Sequence, residues 1–168
     1  MTDSAEFQLR TPTVTDGQAM WQMAVDSATL DVNSPYAYLL WCRDFAPTSV
    51  IAEVNGVAAG FVTGYRRPDQ SETLMIWQVA VNTAHRGAGL AGRMLDHLAA
   101  ALLTDGVTHV ETSITPDNDA SRRLFAAFAR RWDTALACSE LFGAELFPDS
   151  HLAENLFRIG PLRVEEAR

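Results

Sequence analysis

The sequence has little of what marks a secreted or membrane-spanning protein. Its two cysteines, Cys42 and Cys138, are too few for a disulfide framework, so we interpret both as free thiols in a reducing cytosol. No apolar run approaches the ~20 residues of a spanning helix. The polar, acidic N-terminus also lacks the basic and apolar regions of a signal peptide. We therefore expect a cytoplasmic protein without a membrane partner.

Basic residues are scarce as well. Thirteen Lys and Arg residues stand against 21 Asp and Glu residues, which gives a net charge of -8. Such a surface repels a phosphate backbone, so no nucleic-acid partner is expected. The 48% of apolar residues and the length of 168 residues are typical of one globular domain, which we predict over residues 1–168.

Hydrophobic periodicity and turn signals predict about seven strands and four helices. Asn55-Gly56 between two β-rich runs indicates a hairpin, and Ser34-Pro35 indicates a helix start. A polar loop is predicted over residues 66–72. The elements, in order, are a strand at 7–10, helices at 15–29 and 35–45, strands at 49–54, 57–65 and 74–81, a helix at 89–103, a strand at 107–114, a helix at 117–131, and strands at 134–141 and 152–159.

The segment between the fourth strand and the third helix has the composition of a phosphate-binding turn. It reads His85-Arg86-Gly87-Ala88-Gly89-Leu90-Ala91 and leads into an amphipathic helix. A helix N-terminus offers unpaired amides and partial positive charge, and glycines let a ligand approach the backbone. Neither a P-loop nor a dinucleotide-binding fingerprint is present. A lone Gly-x-Gly is also typical of ordinary turns, so this alternative stays open here.

Two motifs together resemble the GNAT acetyltransferases. Arg86-x-x-Gly89-x-Ala91 is similar to the family's signature and stands at the same place in the strand order. Asn118, opening the next helix ahead of Leu124-Phe125, is similar to the family's second landmark. The resemblance implies an α/β (α+β) fold of GNAT type, with a mixed, mostly antiparallel sheet that is splayed between strands 4 and 5. It also implies acetyl-CoA as co-substrate and no metal.

The resemblance also implies which residues bind the cofactor. The backbone of Val79 and Val81 would hold the pantetheine arm, and an N–H there would polarise the thioester carbonyl. Core packing is the other interpretation of these valines. Many members carry a tyrosine as proton donor where this chain has Phe125. The implied cofactor residues are Val79, Val81, Arg86, Gly87, Ala88, Gly89, Leu90, Ala91 and Asn118.

An amine acceptor needs acidic groups, because an amine is protonated at neutral pH and must lose that proton to react. The sequence alone does not rank the acids that could serve. The candidates are Asp31, Asp44, Glu53, Glu111, Glu140, Glu145 and Glu154.

A closer resemblance, to the diaminobutyrate acetyltransferases of ectoine synthesis, covers the core from about residue 7 to 162. It rests on the segments 30–45, 77–81 and 151–160 and on Thr115-Pro116. The resemblance implies acetylation of the γ-amine of L-2,4-diaminobutyrate, giving N4-acetyl-L-2,4-diaminobutyrate, by a homodimer. Another small amine or a peptide N-terminus as acceptor, or a non-catalytic acetyl-CoA sensor, remains an alternative.

Carried over residue by residue, the family's acceptor site falls on Asp31, Tyr36, Trp77, His151 and Glu154. We expect Asp31 and Glu154 to hold ammonium groups and Trp77 to line the thioester. One of the two acids, or His151 through water, would take the proton, since histidine titrates near neutrality. Each residue also has a plain structural interpretation, such as core packing for Trp77 or loop chemistry for Asp31.

Overall fold

A computed structural model describes residues 7–163, which contain seven strands and four α-helices. No helix in this range is long and apolar enough to span a membrane. The elements are β1 (Gln8–Arg10), α1 (Gly17–Ser27), α2 (Pro35–Asp44), β2 (Val50–Val54), β3 (Val57–Arg67), β4 (Gln70–Val81), α3 (Leu90–Leu103), β5 (His109–Ile114), α4 (Asp119–Arg131), β6 (Leu136–Phe142) and β7 (Glu154–Ile159).

The strands are hydrogen-bonded in the order β1-β2-β3-β4-β5-β7-β6. β4 and β5 are parallel, whereas β1–β2, β2–β3, β5–β7 and β6–β7 are antiparallel. The parallel register joins residues 73–76 to residues 109–112 and ends there, although β4 continues to Val81 and β5 to Ile114. The predicted mixed, mostly antiparallel sheet is confirmed, and the early end of this pairing agrees with the predicted splay.

By their internal contacts, the described residues form two compact units. The first contains residues 7–65 and Gln78–Leu98, and the second contains Arg66–Trp77 and residues 99–163. β4 and α3 each contribute residues to both units. The single domain over residues 1–168 stays a prediction.

In the first unit, α1 and α2 bury one face each. α1 contributes Met20, Met23 and Ala24, whose spacing is that of one helical face. Ser34 caps α2 as predicted, because its hydroxyl accepts a hydrogen bond from the Ala37 amide at 3.3 Å. The core cluster also includes Tyr38, Cys42, Ile51, Phe61 and Ala80.

In the second unit, the predicted Asn118 is the N-cap residue of α4. The Asn118 side chain accepts a hydrogen bond from the Ser121 amide at 3.1 Å, which satisfies one of the orphan donors of the first turn. The helix buries Phe125, Phe128 and Ala129. This spacing places one apolar face in the core of the unit.

The predicted loop over residues 66–72 is wrong. β3 extends to Arg67 and β4 begins at Gln70, so only Pro68 and Asp69 form the turn. Arg66 stabilises this end by donating from Nη1 to the Ser71 carbonyl at 3.1 Å. The polar side chains in this segment belong to the partly exposed ends of β3 and β4. Their composition is that of a loop, which is why the sequence predicted one. The hairpin at Asn55-Gly56 is confirmed, with φ of +52° and +76° at the two residues.

Candidate active site

The turn between β4 and α3 exposes its backbone. Asn82 accepts a hydrogen bond from the Ala84 amide at 3.2 Å and starts a short 3-10 turn. Gly87 and Gly89 have φ of +80° and +72°, a region that side chains disfavour. Leu90 is 2% exposed and anchors the start of α3 in the core, while residues 86–89 remain exposed. The turn is therefore exposed, whereas the helix that follows it is anchored in the core through Leu90.

This turn fits a phosphate group. The first turn of α3 contains no acidic residue, and helix-start amides carry partial positive charge. A Cβ added at Gly87 or Gly89 would meet no atom within 4 Å, so the space in front of both residues is open. Arg86 donates from Nε to the Val81 carbonyl at 3.3 Å, which keeps its guanidinium at the end of β4.

Two residues beside the turn, Phe7 and Arg93, were missed by the sequence reasoning. The ring of Phe7 meets the His85 ring edge-on at a centroid distance of 5.7 Å. The guanidinium carbon of Arg93 lies 5.4 Å from the centre of the same Phe7 ring. Arg93 therefore stands beside the turn at a fixed place and adds positive charge to it. The sequence did contain a signal for Arg93. It follows Gly89 by four residues, which is about one turn of an α-helix, so it lies close to the glycine turn.

The last part of β4 has one buried and one partly exposed face. Leu74, Ile76, Gln78 and Ala80 are buried. Trp77 is 38% exposed, and Val79 and Val81 are partly exposed. The three residues therefore share the less buried face of the strand. The alternative interpretation, that these side chains are fully packed in the core, is therefore wrong.

Asp31 and Tyr36 lie at the start of the α2 region in the first unit. Asp31 belongs to the exposed loop between α1 and α2, as predicted. Its carbonyl accepts a hydrogen bond from Gln78 Nε2 at 2.9 Å. Tyr36 is 67% exposed on the first turn of α2, which leaves its ring available to a ligand.

His151 and Glu154 are brought together in the second unit. His151 Nε2 lies 3.7 Å from Glu154 Oε1, and His151 Nδ1 lies 2.6 Å from the Leu152 carbonyl oxygen. A carbonyl only accepts, so this contact requires a proton on Nδ1, while Nε2 faces the Glu154 carboxylate. The ring stacks on Phe147 at 4.1 Å and 18°, which fixes its plane. Phe147 was not singled out from the sequence.

Several of the other candidate acids are already engaged in ion pairs. Asp44, Glu53 and Glu111 each form an ion pair with an arginine, so their charge is already compensated. Glu111 is the most constrained, because it is 3% exposed and bonds Arg158 at 2.6 Å. The arginines that pair with Asp44 and Glu53 are Arg43 and Arg10.

Neither Cys42 nor Phe125 offers catalytic chemistry. Cys42 is buried, and this burial raises the pKa of its thiol to about 11. Cys138 is exposed on β6. Phe125 is 2% exposed and has no proton to give. Among residues 7–163, no group of His, Cys, Asp and Glu side chains is arranged to hold a metal ion.

Comparison with known proteins places these features in context. The family model described as Acetyltransferase (GNAT) family matches residues 17–129. An L-2,4-diaminobutyric acid acetyltransferase from Streptomyces anulatus is 58% identical over 153 residues, covering 89% of this chain and 87% of that protein. One of the same name from Streptomyces coelicolor is 52% identical over 161 residues, covering 94% and 95%.

A solved structure is similar over nearly the whole chain. It is the diaminobutyrate acetyltransferase EctA from Paenibacillus lautus in complex with its substrate L-2,4-diaminobutyric acid and coenzyme A. Its TM-score is 0.90 at 40% sequence identity, and the match covers 98% of this chain and 100% of that one.

Proposed function

This chain belongs to the GNAT acetyltransferase family and, within it, to the L-2,4-diaminobutyric acid acetyltransferases, and we propose that it acetylates the γ-amine of L-2,4-diaminobutyrate. The product is N4-acetyl-L-2,4-diaminobutyrate, an intermediate of ectoine synthesis. The observation that carries this proposal is the likeness, over nearly the whole chain, to a solved relative holding that substrate and coenzyme A.

The exposed turn supports the binding of acetyl-CoA. The amides at the start of α3 and the side chain of Arg86 receive the pyrophosphate, and the positive φ of Gly87 and Gly89 keeps this backbone accessible. The side chain of Asn118 already caps α4, so we propose that Asn118 contributes to cofactor binding by fixing the start of that helix. Acetyl-CoA supplies an acetyl group activated as a thioester.

The partly exposed face of β4 supports the placement of the reacting group. Trp77 lines the thioester, and the backbone at Val79 and Val81 receives the pantetheine arm like an added strand. An N–H donor in this place stabilises charge that develops on the carbonyl oxygen. Core packing of alternate residues such as Gln78 and Ala80 keeps this face of the strand in position.

We propose acceptor-binding roles for Asp31 and Tyr36 of the first unit and for His151 and Glu154 of the second. A small zwitterion with a second ammonium group needs carboxylates to bind it, and Asp31 and Glu154 supply them. His151 takes the proton of the reacting amine at Nε2, because its Nδ1 is fixed on the Leu152 carbonyl. Glu154 stabilises the imidazolium that forms. The free amine then attacks directly, with no covalent enzyme intermediate.

The protonation of the departing thiolate differs from that in relatives with a tyrosine. Phe125 is buried and has no hydroxyl, so water supplies this proton. A thiolate is a good leaving group, and this step needs little assistance. We also propose that the protein acts as a homodimer in the cytoplasm. The two free cysteines are compatible with that compartment.

A panel of amines tests the function. Release of coenzyme A is measured with diaminobutyrate, ornithine, lysine and a peptide N-terminus at equal concentrations. We expect diaminobutyrate to give the highest kcat/KM. A preference for another amine would assign the same fold to a different acceptor, and acetyl-CoA binding without turnover on any amine would identify a sensor.

A further inference from the structure

Gln78 is a buried amide whose two polar atoms reach different parts of the first unit. It is 4% exposed, and its Oε1 accepts a hydrogen bond from the Tyr38 hydroxyl at 3.1 Å. Its Nε2 donates to the Asp31 carbonyl at 2.9 Å. An amide in such a place holds its partners firmly, because an unmade hydrogen bond there is not replaced by water.

The core holds Gln78 from two sides. Tyr38 is 1% exposed, and its ring meets Phe61 edge-on at 6.4 Å, so the hydroxyl has a fixed position. The Gln78 amide nitrogen of the backbone donates to Thr63 Oγ1 at 3.1 Å. Thr63 is itself fully buried. The side chain of Gln78 therefore extends from a rigid base.

The loop that Gln78 reaches is the one that carries Asp31. Ala28 ends α1 with φ of +55°, and Ser27 Oγ accepts from the Leu30 amide at 3.1 Å. At the other end, Ser34 caps α2. Between these local contacts, the bond from Gln78 reaches the middle of the loop from 47 residues away in the sequence.

We propose that Gln78 is a positioning residue for the acceptor site. It fixes the backbone at Asp31, and this sets where the Asp31 carboxylate meets the ammonium group of the substrate. Gln78 follows Trp77 in β4, and the two side chains point to opposite faces of that strand. One short strand segment thus lines the thioester with Trp77 and holds the acceptor loop with Gln78. This inference rests on the proposed function for the role of Asp31.

The variant Gln78→Met removes both side-chain hydrogen bonds at nearly constant size. We expect amide hydrogen exchange of residues 28–34 to become about tenfold faster and KM for diaminobutyrate to rise about tenfold, which corresponds to the loss of one hydrogen bond. KM for acetyl-CoA should stay unchanged. Thr48→Val is the matched control, because it removes a buried hydrogen bond, from Thr48 Oγ1 to the Gly64 carbonyl at 2.6 Å, and leaves the hydrogen bonds of Gln78 intact.

A second variant keeps the test decisive if Gln78→Met does not fold. Tyr38→Phe removes only the hydroxyl that holds Oε1, so the same changes should appear at smaller size. Loop exchange and KM for diaminobutyrate equal to those of the unmodified protein, in whichever variant folds, would overturn the proposal. A faster loop with an unchanged amine KM would also overturn it. If the unmodified protein does not acetylate diaminobutyrate, the proposed function fails, and the amine that it does acetylate replaces diaminobutyrate in this test.

Discussion

The imidazole of His151 and the carboxylate of Glu154 face each other at 3.7 Å, between Nε2 and Oε1. The pair lies three residues apart, with Glu154 opening β7, and Phe147 stacks on the imidazole. The bond from Nδ1 to the Leu152 carbonyl directs Nε2 toward Glu154. A base oriented by a backbone carbonyl and compensated by a carboxylate is suited to accept a proton from an amine.

Glu154→Ala tests this pair. We expect kcat to fall about 100-fold, because His151 loses the carboxylate that stabilises its protonated form during proton transfer. KM for acetyl-CoA should stay unchanged, since Glu154 does not belong to the turn that binds the cofactor. Glu140→Ala is the control, because Glu140 is an exposed acid of β6 whose partner in the ladder is Asn155. Normal turnover in Glu154→Ala would show that the acceptor site lies elsewhere.

The cofactor turn predicts a difference between two glycine variants. Gly89 and Gly56 have similar φ of +72° and +76°, and a Cβ at either meets no atom within 4 Å. Alanine at each should lower the free energy of unfolding by about 1 kcal/mol, because both positions require a left-handed backbone. Only Gly89→Ala should raise KM for acetyl-CoA, by about tenfold. If KM for acetyl-CoA were the same in the two variants, the turn at Gly89 would not be part of the cofactor site.

The two thiols should differ in reactivity with a thiol reagent. Cys138 is exposed, whereas Cys42 is 3% exposed and burial raises the pKa of its thiol to about 11. Titration of the folded protein should therefore modify one thiol quickly, and denaturant should release the second. Modification of Cys138 should leave turnover intact, because direct transfer needs no cysteine. Loss of acetyl transfer on this modification would point to a covalent intermediate.

Asp16 makes stability depend on acid pH. Hydrogen bonds from Arg10 hold the pKa of Asp16 below its ordinary value, and the Thr13 amide also donates to it at 2.7 Å. The folded state therefore binds the proton less readily than the unfolded chain. This contribution is present above the unfolded pKa of about 3.9 and is lost as the pH falls through the folded value.

Asp16→Asn should accordingly lower the free energy of unfolding by about 2 kcal/mol at neutral pH, measured in urea. The difference from the unmodified protein should begin to narrow below a pH of about 4, where Asp16 takes up a proton in the unfolded chain, and should vanish once the folded state binds that proton as well. Asp44→Asn provides the comparison, since Asp44 pairs with Arg43 on the exposed surface and should matter little. A difference for Asp16→Asn that is the same at neutral and acid pH would contradict this assignment.

Much of the fold follows from local sequence patterns. Asn55-Gly56 specifies its hairpin and Ser34-Pro35 its helix start, because each depends on backbone preferences of adjacent residues. The end of β3 was not predictable in this way, since Arg66 and Arg67 are polar residues on a strand that composition assigns to a loop. Their strand conformation depends on pairing with a partner that the local sequence does not identify.

The candidate site was only partly accessible to the same reasoning. The glycine turn could be predicted from local sequence, since it depends on a few consecutive residues. Acids such as Glu111 and Glu154 could not be ranked, because an arginine from another strand decides that Glu111 is paired. The contact between Gln78 and the Asp31 loop was equally hidden, since it joins residues 47 positions apart.

The position of the transferred acetyl group tests the central claim most directly. The protein is incubated with diaminobutyrate and acetyl-CoA carrying a ¹³C label in the acetyl carbonyl, and the product is analysed by NMR. We predict a coupling path from the labelled carbonyl to the γ-methylene protons through N4, in a product formed only with enzyme. A label attached to the α-nitrogen, or no acetylated diaminobutyrate at all, would contradict the account.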